Sequence, residues 1–226
     1  EMDGVDAATA AEALRLAKVG GFAGLEIHGP NVADLIDRQG SDAVRRAFAD
    51  AGIRPAALGL PVDWRTSDAN WRRDLEQLPH VAKAAAALGI ERCSTWVMPC
   101  SNERPLGPNI AFHLERFTPI ARVLAAENIR LGLEFIGPRT LRESQKYPFI
   151  HTMSDMLDLG RKIGPNVGIL LDCWHWYTSH GTLAELRALR PEQVVYVHVN
   201  DAPRGVAIDD QIDNLRDLPG ATGVID

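Results

Sequence analysis

Three apolar runs of the chain each carry one acidic or imidazole side chain near their C-terminal end: Glu134 in LGLEFIG, Asp172 closing GILLD, and His198 in VVYVHVN. They follow one another by about one strand-plus-helix unit each time, so three consecutive strands present Glu, Asp and His toward one end of a sheet. A carboxylate within an apolar strand is costly to bury unless a charge compensates it. A divalent cation resolves that cost for two acids meeting an imidazole. Oxygen ligands with one imidazole suit Mn2+, Mg2+, Co2+ or Zn2+, and the absence of a thiolate set argues against a structural zinc site. Taken singly, a strand-end Asp commonly caps the next helix and a lone His packs in a core; the ordered triple is what points to metal chemistry.

Two further residues belong to the same end. His175 follows Asp172 by three in CWHWY, in the loop over the triple or packed between Trp174 and Trp176. Arg204 follows His198 by six in HVNDAPR, where it forks onto a ligand oxygen or stays solvated. The neighbouring Asn200 and Asp201 read as ligand-bonding residues or as turn formers, the turn being favoured.

The elements that must position these side chains alternate. An Ala-rich run, Ala7 to Val19, follows Asp6 and ends at Gly20 and Gly21, as a capped helix does. Strands are expected over 22–28, 53–60, 91–98, 129–136, 167–171 and 194–199. Helices are expected over 41–51, 68–88, 110–127, 154–163 and 183–189. Short, largely apolar strands separated by helices predict a parallel sheet covered by helices, either a doubly wound sheet or a (β/α)8 TIM barrel. No GxGxxG turn follows the early strands, so the barrel is preferred. A complete barrel has eight strands and about 250 residues. The six runs found within 226 residues therefore suggest an incomplete barrel lacking its first strand and last βα unit, with residues 1–226 forming a single domain.

The chain carries 24 Lys and Arg against 30 Asp and Glu, a net charge of −6, and the cations are scattered, which disfavours nucleic acid as a partner. No run of about 18 apolar residues is present, so no membrane span is expected. Glu1 to Ala10 holds no charged-then-apolar leader. Cys93, Cys100 and Cys173 lack CxxC spacing and read as free thiols, which fits a reducing cytoplasm.

On GFAGLEIHG, LGLEFIGP, LLDCWHWY, YVHVNDAP and LPGATGVID, taken in that order, the chain resembles the sugar phosphate isomerase/epimerase family, the xylose isomerase-like TIM barrels. The resemblance implies a divalent metal held by Glu, Asp, His and a second Glu, with Glu134, Asp172 and His198 matching the first three. The fourth ligand of the family sits on the eighth strand, beyond the last run found here. It also implies that His175 and Arg204 contact substrate oxygens. The three-zinc, His-rich cluster of the related DNA-repair endonucleases is not matched.

The implied chemistry is a metal-dependent isomerase or epimerase of a small sugar or polyol. The metal polarises a carbonyl and stabilises an enediolate, while Glu134 takes or returns the proton as the catalytic group. A dehydratase of a keto-polyol or dehydroshikimate-like substrate and a catalytically silent sugar-binding barrel are the alternatives. Trp96, late in CSTWVM, and His28, ending FAGLEIH, are candidates for stacking on a sugar face, against core packing for Trp96 and helix capping for His28. The segment Pro138 to Thr152, with Arg139, Arg142, Lys146 and His151, is long for a βα loop and reads as a lid or a solvated charged loop. A homo-oligomer is left open.

Overall fold

A computed structural model describes residues 7–225, with side chains described from Ala10 onward. The cap expected at Asp6 and the terminal Asp226 lie outside the described residues. Along the chain come α1 (Ala7–Val19), β1 (Gly24–His28), α2 (Gly29–Gln39), α3 (Ser41–Ala51), β2 (Arg54–Gly59), α4 (Asp68–Ala87), β3 (Arg92–Val97), β4 (Cys100–Ser101) and α5 (Leu106–Ala126). There follow β5 (Arg130–Phe135), α6 (Arg139–Arg142), β6 (Tyr147–Pro148), α7 (Met153–Ile163), β7 (Val167–Asp172), α8 (Cys173–Thr178), α9 (Leu183–Ala188) and β8 (Val194–His198). Six strands take the sheet order β1-β2-β3-β5-β7-β8, and the pairings β1–β2, β5–β7 and β7–β8 are parallel. The expected alternation is thus present, as six of the eight strands of a TIM barrel. Among the described residues, no helix is long and apolar enough to cross a membrane.

The chain forms two compact units. The first comprises residues 1–93 and 119–130. In it β1 runs parallel to β2, with Gly24 opposite Arg54 and His28 opposite Gly59. Helix α2 packs on α3 and α4, with Val32, Val44, Phe48, Leu78 and Ala82 buried. The sequence reading leaves 29–40 unassigned, and the structure places α2 there. Pro30 lies in its first turn, where its missing N–H is needed by no carbonyl and its fixed φ suits the helix. Pro79 lies inside α4 without ending it.

The second unit comprises residues 94–118 and 131–226. Leu131, Leu133 and Phe135 of β5 and Ile169 and Leu170 of β7 are almost fully buried. Helix α7 lays Met156, Leu159 and Ile163 inward. Gly160 on the same face lets α7 approach β7, since a Cβ there would stand 3.3 Å from Val167 Cγ1. The long segment after β5 is not structureless. It contains α6 and then β6, which pairs antiparallel with β4. Arg139 meets Asp209 and Asp210 at 3.6 and 3.5 Å. Arg142 donates to the Gly137 carbonyl at 3.0 Å and lies 3.9 Å from Asp209. These cations are engaged by the chain itself.

After β8 the chain folds back on itself. Asp201 and Asp217 exchange both backbone bonds, each 2.9 Å. The buried Asp201 carboxylate accepts from the amides of Ala202, Thr222, Gly223, Val224 and Ile225 at 2.7–3.1 Å. Those amide bonds, that of Ile225 foremost, hold its carboxyl well below the usual carboxylate range. Asp201 is therefore the turn former rather than a ligand-bonding residue.

Because the native pKa of Asp201 lies below the ordinary 3.8, its stabilisation is complete above about pH 4 and is lost as pH falls below that. Asp201→Asn places an amide NH2 against backbone donors and should lower Tm at pH 7 by about 5 °C or more. The variant should also lose less on going from pH 5 to pH 3 than the parent. Circular dichroism melts at the three pH values check both; an unchanged Tm at pH 7 refutes the anchoring role.

Candidate metal centre

The register of the second unit determines which side chains meet. Glu134 in β5 is opposite Leu170 in β7. Asp172, two residues beyond Leu170, therefore points to the same face, because strand side chains repeat every second residue. Asp172 is in turn opposite His198 in β8. The three residues singled out by spacing thus converge. His198 Nδ1 lies 3.5 Å from Glu134 Oε1 and 4.0 Å from Asp172 Oδ2.

His175 joins them because β7 passes directly into α8. Asp172 is the N-cap, its Oδ1 accepting from the Trp174 amide at 2.8 Å, and His175 sits within the first turn. It is buried, with Nε2 3.9 Å from Glu134 Oε1. Glu134, Asp172 and His175 each offer a ligand atom within 4.8 Å of the others. Donors about 2.0–2.2 Å from a shared ion lie within roughly 4.4 Å of one another. The contacts of His198 with both acids, 3.5 and 4.0 Å, meet that limit.

The two imidazoles are not equivalent. A ligating histidine almost always donates its other ring N–H to an acceptor. His175 Nδ1 instead faces a donor, the Gly137 amide at 3.2 Å. That amide is held close, since a Cβ on Gly137 would stand 2.2 Å from the His175 carbonyl oxygen. Its Nε2 stands 3.1 Å from a second donor, Arg216 Nη2, so both ring nitrogens of His175 face N–H groups of the chain, whereas His198 turns Nδ1 toward both acids.

The electrostatics follow from burial. Desolvation pushes the Glu134 carboxyl above its ordinary value, against the pull of His198. Burial raises Asp172 too, but the neighbouring His175, the charge of Arg216 and the Trp174 amide hold it below the ordinary value. Burial lowers His175 to about 4, so its ring is neutral near pH 7.

Two members of the site were not anticipated, Asp213 and Arg216. Arg216 Nη1 donates to Asp172 Oδ2 at 2.8 Å and Nη2 to Asp213 Oδ1 at 2.7 Å. Asp213 Oδ1 is 3.8 Å from His175 Nε2. Both residues lie in the irregular segment after β8, where no periodicity marks a side chain; the only signal is the pair of opposite charges three apart in DNLR. Asn200 donates to both Asp172 oxygens at 3.3 Å.

A cavity of about 340 Å3 opens beside the cluster, lined by the apolar Trp96, Met98, Ile136 and Leu141 and by the polar Glu134, His175, Asp213 and Arg216. Trp96 is thereby brought to the site. Arg204 donates to the Thr222 carbonyl and is not among the cavity's lining residues. His28 belongs to the first unit; it occupies the N-cap position of α2 without a side-chain cap bond.

The model of the xylose isomerase-like TIM barrel matches residues 14–226. A xylose isomerase domain protein from Alicyclobacillus acidocaldarius subsp. acidocaldarius is 33% identical, with TM-score 0.85 over 97% of this chain and 76% of that one. The IOLI protein, solved with a binding zinc atom, is 17% identical, with TM-score 0.72 over 93% and 74%. D-psicose 3-epimerase from Clostridium cellulolyticum H10, solved with D-tagatose, is 14% identical, with TM-score 0.66 over 85% and 68%. None of the curated proteins matches the chain in sequence.

If the Gly137 amide and Arg216 keep His175 off the ion, His198→Asn should weaken Mn2+ binding by tenfold or more, in line with a lost direct ligand. His175→Asn should change it less than about threefold. Isothermal titration of both variants is the measurement, and a larger loss from His175→Asn than from His198→Asn reverses the assignment.

Proposed function

The chain belongs to the xylose isomerase-like TIM barrel family, and from that membership and the chemistry of the cluster we propose that it is a divalent-metal-dependent isomerase or epimerase of a small sugar or polyol. The observation that carries this reading is the meeting of Glu134, Asp172 and His198 within 3.5–4.0 Å contacts of the imidazole. Three acids, Glu134, Asp172 and Asp213, beside two imidazoles and one guanidinium form a site with excess negative charge, which a divalent ion neutralises. Mn2+, Mg2+, Co2+ and Zn2+ all suit this donor set. When bound, such an ion supplies Lewis-acid polarisation of a carbonyl oxygen.

The remaining work falls to the chain's own side chains. Burial makes the Glu134 carboxylate a stronger base than an exposed one, suited to accepting a proton from the carbon beside the carbonyl. Delivery of a proton to the opposite face of the same carbon, which needs a second acid on that side, gives an epimer, and return of the Glu134 proton to the neighbouring carbon gives an isomer. His175, neutral and with Nε2 turned toward Glu134 and Arg216, lines the cavity beside the reacting oxygens. Trp96 offers the C–H face of a sugar an aromatic surface, and the apolar wall it shares with Met98, Ile136 and Leu141 excludes water from the reacting carbons.

Incubation with Mn2+ and a panel of ketoses and polyols should give epimer or isomer, resolved by chromatography. Glu134→Gln should lower turnover by about 10²–10⁴; undiminished turnover removes Glu134 as the base. A conjugated enone absorbance in place of an isomer marks a dehydratase. Failure of every divalent ion to raise Tm, where a ligand bound only by the native state must do so, marks a silent sugar-binding barrel.

A further inference from the structure

Arg216 is tied down on three sides. Its Nε donates to the Asp213 carbonyl at 2.8 Å, its Nη2 to the Asp213 carboxylate at 2.7 Å, and its Nη1 to Asp172 Oδ2 at 2.8 Å. Nη2 also stands 3.1 Å from His175 Nε2, and the guanidinium carbon lies 5.4 Å above the Trp174 ring. The guanidinium therefore spans Asp172 and His175, the two groups that with Glu134 form the compact cluster.

Which oxygen of Asp172 it takes is the informative part. Oδ1 is committed to the α8 cap through the Trp174 amide, and Asn200 reaches both oxygens. Oδ2 is the oxygen that faces His198, hence the one an ion shared with His198 must use. Arg216 donates to that same oxygen.

We propose that Arg216 is a resident counter-cation that competes with the divalent ion for Asp172 Oδ2. Without an ion, the guanidinium compensates the buried Asp172. With one, the ion's double charge stands beside a fixed positive charge and takes over the electron density that Arg216 was using. Removing the guanidinium therefore removes both a competitor and a repulsion. Arg216 acts on the ion through Asp172, as a positioning residue, and the proposal rests on the metal reading above.

Mn2+ titration calorimetry on the intact chain tests it, with Arg216→Met as the variant and Arg216→Gln, closer in shape, in reserve should the first fail to fold. The neutral variant should bind Mn2+ about tenfold more tightly than the parent, and its metal-free Tm should be lower. Arg216→Lys, which retains the charge, should return affinity to within about threefold of the parent; a purely structural role predicts no such dependence on charge. Equal or weaker binding by the neutral variants overturns the proposal and makes Arg216 a support of the metal. Absence of any Mn2+ binding by parent and variants alike overturns the metal reading itself and the proposal with it.

Discussion

The site depends on the cost of holding carboxylates out of water. Glu134 and Asp172 are 8% and 1% exposed, and Asp213 adds a third acid facing one guanidinium. An ionised carboxylate deprived of water needs a charge or several donors to replace it. The chain answers the demand differently for each. Asp172 receives a helix-cap amide, Asn200 and Arg216, and its carboxyl is held low. Glu134 receives less, and burial leaves its carboxyl high. Two acids a few ångströms apart thus acquire opposite characters, the one a firm anion and the other a base, from their surroundings alone.

That arrangement draws on three levels of backbone organisation. Parallel register aligns Glu134, Asp172 and His198 on one face, and no side-chain interaction is needed to do so. The turn from β7 into α8 then places His175 within one helical turn of the acid that caps the helix. Finally, the five amides gathered by Asp201 fold the segment after β8 back to its bridge with Asp217, which delivers the adjacent Arg216 to Asp172. The first two levels are local and follow from strand and helix geometry. The third is a long-range closure around a buried anion, and the charge balance of the site hangs on it.

The sequence showed these levels unequally. Alternating apolar runs and helices revealed the six strands because a strand buried on both faces must be apolar along its length. The same background made Glu134, Asp172 and His198 visible as interruptions. Helix α2 was hidden because a proline that begins a helix and one that breaks it look alike without the neighbouring fold. Arg216 and Asp213 were hidden for a different reason: they lie in a segment with neither strand nor helix period, and only the hydrogen bonds of Asp201 bring them to the site. Arg204 drew attention through its distance from His198 along the chain; its guanidinium donates to the Thr222 carbonyl, and Arg204 is not among the residues lining the cavity.

The division between the two imidazoles shows how small a difference can assign chemistry. His175 and His198 both approach Glu134, at 3.9 and 3.5 Å, and residue type does not separate them. What separates them is what faces their ring nitrogens. A backbone N–H stands opposite Nδ1 of His175 and the Arg216 guanidinium opposite Nε2, and burial that lowers the ring to about 4 ensures that only one ring proton is present near neutral pH. The one lone pair of such a ring is claimed by the chain's own donors. His198 has a side chain 40% exposed, lies in register with Asp172 and turns Nδ1 toward both acids. Two N–H donors, one of them on a glycine whose Cβ the space would not admit, therefore suffice to give two like side chains unlike surroundings.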